Sequence, residues 1–148
     1  MTPAEPPVGP RLPPSELDEM VDLLEHISSA LVLLDERPLS EVHAAIRDFG
    51  LAVQEHVRTL EPFASPPGPP SSALSEARAI LRSDHAWFLG SLEQLEWFYR
   101  IVEGEDHGGH RQALGQYGRV LAEALRRHRR DERAYFAAVA EPLARVPP

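Results

Sequence analysis

"LRRHRRDERAYF", residues 125–136, separates charged from apolar residues around a single helix, and this separation decides the fold. An α-helix turns about 100° per residue, so the numbering alone places each residue around the axis. Those within about 60° of His128 are Leu114, Tyr117, Leu121, Ala124, Leu125, Glu132, Tyr135 and Val139. Those about 100° or more away are Arg126, Arg127, Arg129, Arg130 and Arg133. The stretch therefore predicts an amphipathic helix with His128 and Glu132 facing inward and its arginines in water.

The prolines divide the rest of the chain into helical segments. The chain has 148 residues and 15 prolines, which cluster near its two ends, around residue 38 and in 62–70. Between these clusters, helical spacing extends over 15–36, 40–62, 72–103 and 110–141. These segments predict an all-α fold, an antiparallel up-down four-helix bundle spanning 15–141. Residues 1–14 are expected to form a disordered Pro-rich tail, and residues 142–148 a C-terminal tail.

The composition excludes several classes of protein. A formal net charge of -8 argues against a nucleic-acid or anionic-membrane partner, because phosphate binding needs clustered cations. The absence of cysteine excludes thiolate metal ligands and disulfides. Neither a signal peptide nor a long uncharged apolar run is present, so we expect a cytoplasmic protein. The sequence does not indicate a protein partner or an oligomeric state.

One histidine of each helix falls on or beside the apolar face. His85, His56 and His128 occupy inward positions on the third, second and fourth helices, and His26 lies at the edge of the apolar face of the first. A single inward histidine is usually a core residue with one hydrogen-bond partner. Four of them favour a divalent metal ion, which satisfies several neutral imidazoles at once.

Position along the bundle supports only part of this set. His85 and His128 are equally far from the turn near residues 106 and 107, so antiparallel packing places them at one level. Measured from the turn near residues 38 and 39, the levels of His26 and His56 along the bundle differ by about five residues, or roughly 7 to 8 Å. Asp22, one helical turn before His26, is close to the level of His56 and is a candidate replacement ligand. We predict that Tyr99 and Tyr135, on the same inward faces, either bind a ligand of the site or simply fill the core.

The chain resembles the hemerythrin-like, or HHE cation-binding, family over most of its length. The segments that carry the resemblance are "LLEHISSALVLLD", "QEHVRTLEPF", "LRSDHAWFL" and "HRRDERAYF". The resemblance implies a four-helix bundle in which His26, His56, His85, His128 and Glu132 bind non-haem iron. It also implies that the protein binds or senses oxygen, nitric oxide or iron. Where the family has a bridging glutamate four residues after its second-helix histidine, this chain has Leu60.

The loss of that carboxylate leaves several functions open. Four histidines and one carboxylate suit one ion better than two, and zinc fits as well as iron. The alternative is a metal-free structural or protein-interaction bundle with a degenerate site, which could present Trp87 or Trp97 to a partner. No catalytic triad, phosphate-binding loop or acid–base carboxylate pair is recognisable, so an enzyme is less favoured. Metal affinity is expected to fall as the pH drops through the histidine range.

Overall fold

A computed structural model describes residues 16–60 and 72–144, and four α-helices account for nearly all of them. Helix α1 spans Glu16–Val32, α2 Leu39–Leu60, α3 Ser72–Gly104 and α4 Gly108–Ala144. The predicted all-α fold is confirmed. The predicted helix start at Ser15, the Pro-rich N-terminal tail and the Pro-rich loop lie outside the described residues.

The four helices form a closed ring around one apolar core. Each packs against its neighbours in sequence, and α1 packs against α4 to close the ring. The core is made of apolar side chains from all four helices, including Leu24, Phe49, Leu95 and Leu125. Among the described residues, no helix has both the length and the apolar character needed to cross a membrane. The arrangement is an up-down four-helix bundle, as predicted.

Helix α1 ends four residues earlier than its sequence pattern suggests. The backbone of Leu34 takes a left-handed conformation with φ of 60°. The N–H groups of Leu34 and Asp35 then bond back to the carbonyls of Leu31 and Ala30, at 3.1 and 3.0 Å. These two bonds form a Schellman motif, which satisfies the last carbonyls of a helix and reverses the chain. The stop therefore comes from a leucine in a conformation that usually favours glycine.

Two glycines allow α1 and α4 to pack closely. A Cβ atom at Gly115 would lie 2.5 Å from the backbone oxygen of Ser28 and 3.0 Å from Leu31 Cβ. A Cβ atom at Gly118 would lie 2.1 Å from Ser28 Oγ. At Gly115 the close atom belongs to the backbone, so only glycine fits there without moving α1, whereas at Gly118 the Ser28 hydroxyl would have to rotate away. The short first helix is thereby held tightly against the long fourth one.

Ion pairs at the opposite end of α1 define its alignment with α4. Asp18 accepts a hydrogen bond from Arg129 Nε at 3.1 Å, and Asp22 accepts one from Arg126 at 2.6 Å. The start of α1 therefore lies beside His128, and the rest of α1 extends away from it. This alignment decides which residues of α1 can approach a site at His128.

Candidate metal centre

Three helices bring their inward polar side chains to one point on the bundle axis. His56 comes from α2, His85 from α3, and His128 and Glu132 from α4. His128 and Glu132 are four residues apart, so both lie on the same face of α4. Helices α2 and α4 are diagonal partners in the ring, yet His56 and Glu132 are in hydrogen-bond contact. The group therefore spans the centre of the core.

Glu132 is the centre of this group. Its Oε1 atom lies 2.9 Å from His56 Nε2 and 3.2 Å from His128 Nε2. Its Oε2 atom lies 3.9 Å from His85 Nε2. Each of the four residues is at most 4% exposed. One carboxylate thus faces the Nε2 atoms of three imidazoles in an environment shielded from water.

The two histidines of α3 and α4 face each other through the same nitrogen. The distance from His85 Nε2 to His128 Nε2 is 3.0 Å. On the other side of its ring, His128 donates through Nδ1 to Asp84 Oδ2 at 2.9 Å. Because a carboxylate accepts that bond, the Nδ1 proton is fixed and Nε2 turns toward the group. A carboxylate behind a histidine is the usual second partner of a metal-binding imidazole.

Four donor atoms are close enough to bind one ion. One ligand atom from each of His56, His85, His128 and Glu132 lies within 4.8 Å of the others. Both nitrogen and carboxylate ligands suit Zn²⁺ and first-row transition metals. His56 Nδ1 is also buried without a hydrogen-bond partner in the described part of the chain. The arrangement could therefore hold a metal ion within the bundle.

The surroundings shift the pKa values of three members of the group. Burial lowers the pKa of His56 and outweighs its bonds to Glu132, so the neutral imidazole that a metal requires is favoured. Burial also acts to lower the pKa of His128, but Glu132 and Asp84 together raise it. Burial opposes ionisation of Glu132, yet its bonds to His128, His56 and His85 hold its pKa far below the usual range. The carboxylate of Glu132 stays charged in the core.

This low pKa predicts a loss of stability in acid. A carboxyl group with a lower pKa in the folded chain stabilises the fold above its usual value of 4.5 and loses that contribution below it. With a chelator present, the free energy of unfolding should fall more steeply below pH 4.5 in the wild type than in Glu132→Gln. Urea unfolding between pH 3 and pH 6, at roughly half-unit steps, measures this difference. Equal slopes for the two proteins would contradict the assignment.

Arg129 is a buried residue that sequence periodicity placed wrongly. It was predicted to lie in water with the other arginines, but it is only 2% exposed. Helix α1 covers this side of α4, and Asp18 accepts the hydrogen bond from Arg129 Nε. The NH1 atom lies 3.6 Å from Glu132 Oε1. The periodicity of α4 by itself carries no information about which neighbour covers its flank.

The structure corrects the expectations for two residues of α1. His26 is exposed and does not join the group. Because Asp18 is paired with Arg129, His26 lies about two helical turns, or more than roughly 10 Å, along the axis from the level of His128. Asp22 is also exposed and bonds to Arg126, so it does not replace the missing ligand. The mismatch already visible in the numbering is thus larger in the fold.

The other residues that the sequence singled out have separate positions. Tyr99 is buried and stacks on His43 at 4.5 Å, but it lies about four helical turns from His85, too far to touch a ligand there. Tyr135 is buried one turn beyond Glu132, and its role at the site stays a prediction. Leu60 is the last residue of α2, and its side chain lies outside the described part. Asp84, which the sequence analysis missed, is recognisable only by its position directly before His85.

A second, exposed group lies at the turn between α3 and α4. Ligand atoms of Glu105, His107 and His110 also lie within 4.8 Å of one another. His110 Nδ1 contacts the backbone oxygen of Glu105 at 2.8 Å, and the two imidazole rings are 3.7 Å apart. This group lies at the opposite end of α3 from the buried one. Metal-binding measurements on this protein must separate the two.

No family model, curated protein or solved structure matches this chain.

Proposed function

We propose that this chain is a metal-binding bundle in which His56, His85, His128 and Glu132 hold non-haem iron, and that it binds or senses oxygen, nitric oxide or iron. The observation that carries the proposal is the convergence of four buried donor atoms from three helices within 4.8 Å. Burial of three imidazoles and a carboxylate in an apolar core is costly, and one cation bound by all four donors would offset that cost.

The hydrogen bonds around the group prepare its donors. Asp84 holds His128 with Nε2 pointing inward, and burial keeps the imidazole of His56 neutral. Glu132 supplies the negative charge that a buried cation needs. Two inward nitrogens only 3.0 Å apart, on His85 and His128, require a proton or a cation near them. The chain thus supplies orientation, charge and, at His56, the neutral imidazole that a metal requires.

The number of donors favours small ligands over larger substrates. Ferrous iron bound by three imidazoles and one carboxylate would retain open positions for a diatomic gas. The ring of Phe88 lies 5.1 Å from that of His128, and both side chains are buried. This apolar wall shields the donors from water. Gas binding or iron sensing therefore suits the site better than turnover of a bulky molecule.

Membership of the hemerythrin-like family remains part of this proposal. Its support is the four-helix bundle and the three histidines and one glutamate that occupy the expected inward positions. Two expected ligands are missing from the group, one on α1 and one at Leu60. We therefore propose that the centre, which has fewer ligands than the family pattern, binds one ion instead of a pair.

Metal content should depend on His128 and not on His26. In protein carrying His107→Asn and His110→Asn, so that the surface group does not contribute, we expect about one iron per chain after anaerobic purification with iron supplied, and less than about 0.2 when His128→Ala is added. His26→Ala is the matched control, because it removes an exposed histidine outside the group and should retain the metal. Metal analysis by mass spectrometry measures this, and visible spectra before and after air test for oxygen reactivity. Equal loss in both variants would contradict the assigned ligands.

A metal-free interaction bundle is the second candidate. Leu51, Leu89 and Trp97 are between 40% and 60% exposed along a groove between α2 and α3, which could accept a partner. Trp87 is 49% exposed elsewhere on α3. Fewer than about 0.2 ions per chain after supply of iron, zinc and manganese would favour this function.

A further inference from the structure

Arg129 places a permanent positive charge at the edge of the metal centre. Its guanidinium is buried, and Arg129 NH1 lies 3.6 Å from Glu132 Oε1. Neither NH1 nor NH2 has a hydrogen-bond partner within the described ranges, although Nε donates to Asp18. An arginine does not lose its proton in a protein, so this charge is present at every pH. A cation bound by Glu132 would therefore have a second cation beside it.

The charges around the group favour one divalent ion over two. Glu132 is the only carboxylate buried among the described residues, because Asp18 and Asp84 are 39% and 35% exposed and Asp18 also pairs with Arg133. Arg129 already supplies one buried positive charge beside Glu132. A second divalent ion would add two further positive charges to a core with a single buried carboxylate, where uncompensated charge is strongly unfavourable. A carboxylate at Leu60 would reduce that excess, but the chain has none there.

We propose that Arg129 limits this centre to a single divalent ion by taking the place of a second one beside Glu132. The inference rests on the proposed metal-binding function and adds the residue that determines its stoichiometry. Arg129 is a positioning and charge-compensating residue, not a ligand. Its side chain also links the centre to α1, which supplies Asp18 in place of a metal ligand.

The test counts ions in the 148-residue chain after the two histidines of the surface group have been replaced. The parent protein carries His107→Asn and His110→Asn, so the surface group at the α3–α4 turn does not contribute. Zn²⁺ is the probe, because it is not redox-active and suits imidazole and carboxylate ligands. Native mass spectrometry gives the number of ions per chain, and competition with a chelator gives the affinity.

Two substitutions of Arg129 have different expected results. Arg129→Glu adds a carboxylate beside Glu132, and the number of bound ions should rise from one to two. Arg129→Gln keeps a polar side chain without the charge, and the affinity for the first ion should rise at least about tenfold, because a nearby repelling charge is removed. Arg133 still pairs with Asp18 in both variants. Arg130→Glu and Arg130→Gln, at an exposed neighbouring position, should leave both values unchanged.

The possible outcomes separate this inference from the function on which it rests. Two tightly bound ions in the parent would overturn the role of Arg129 and leave metal binding intact. An affinity of Arg129→Gln equal to that of Arg130→Gln would also overturn it, even if Arg129→Glu failed to fold. A parent that binds no ion would overturn both the inference and the proposed function.

Discussion

Glu132→Gln, in protein that also carries His107→Asn and His110→Asn, should reduce the iron content to less than about one-tenth of the value without the Glu132 substitution. Glu132 is the only anionic donor of the group, and three neutral imidazoles with an amide bind a cation far more weakly. The substitution keeps the size of the side chain, so the core need not repack. Metal analysis after anaerobic purification measures the loss.

The same substitution should also destabilise the protein in the presence of a chelator. It removes the counter-charge of Arg129, which is buried 3.6 Å from Glu132. Breaking a buried ion pair from one side commonly costs about 3 kcal/mol of unfolding free energy or more. Urea unfolding at neutral pH measures this change. The cost arises whether or not a metal is bound, so it tests the buried charge separately from the metal.

Asp131→Asn is the matched control for Glu132→Gln. Asp131 is the preceding residue on α4 and is exposed, so the charge change is the same but the environment is water. We expect its metal content to be unchanged and its stability to differ by less than about 0.5 kcal/mol. If Glu132→Gln matched this control in both measurements, the buried group would not be a metal centre.

Gly115→Ala should have the largest effect on the fold away from the metal centre. The added Cβ atom would lie 2.5 Å from the backbone oxygen of Ser28 and 3.0 Å from Val32 Cγ2. A backbone atom cannot rotate away, so α1 must move from α4. Such overpacking typically costs about 1 to 3 kcal/mol. For a chain of this size, the melting temperature should fall by roughly 2 to 4 °C per kcal/mol.

Gly90→Ala provides the opposite result as a control. Gly90 is inside α3, and an added Cβ atom would meet nothing within 4 Å. Replacement of an exposed helical glycine with alanine usually stabilises a protein by up to about 1 kcal/mol. In thermal unfolding, the melting temperature of Gly90→Ala should therefore be higher than that of the wild type, and the melting temperature of Gly115→Ala should be lower. The reverse order would contradict the close approach of α1 and α4.

The periodicity of the sequence predicted the helices and most of the buried group. His56, His85 and His128 lie on apolar faces, and the four-residue spacing to Glu132 places it beside His128. These predictions succeeded because the inward face of a helix is fixed by its own residue spacing. The end of α1 was predicted less well, since it depends on the left-handed backbone of Leu34. No pattern in the sequence marks that conformation for a leucine.

The sequence by itself determined an all-α bundle and the inward direction of four donors, because both follow from the geometry of single helices. Only the tertiary structure decided which helices contribute to one centre. The alignment of α1 with α4, set by Asp18 and Arg129, removes His26 from the group. The same packing buries Arg129 beside Glu132, although its helical angle points to water. Contacts between helices depend on their neighbours, and a single helix does not encode them.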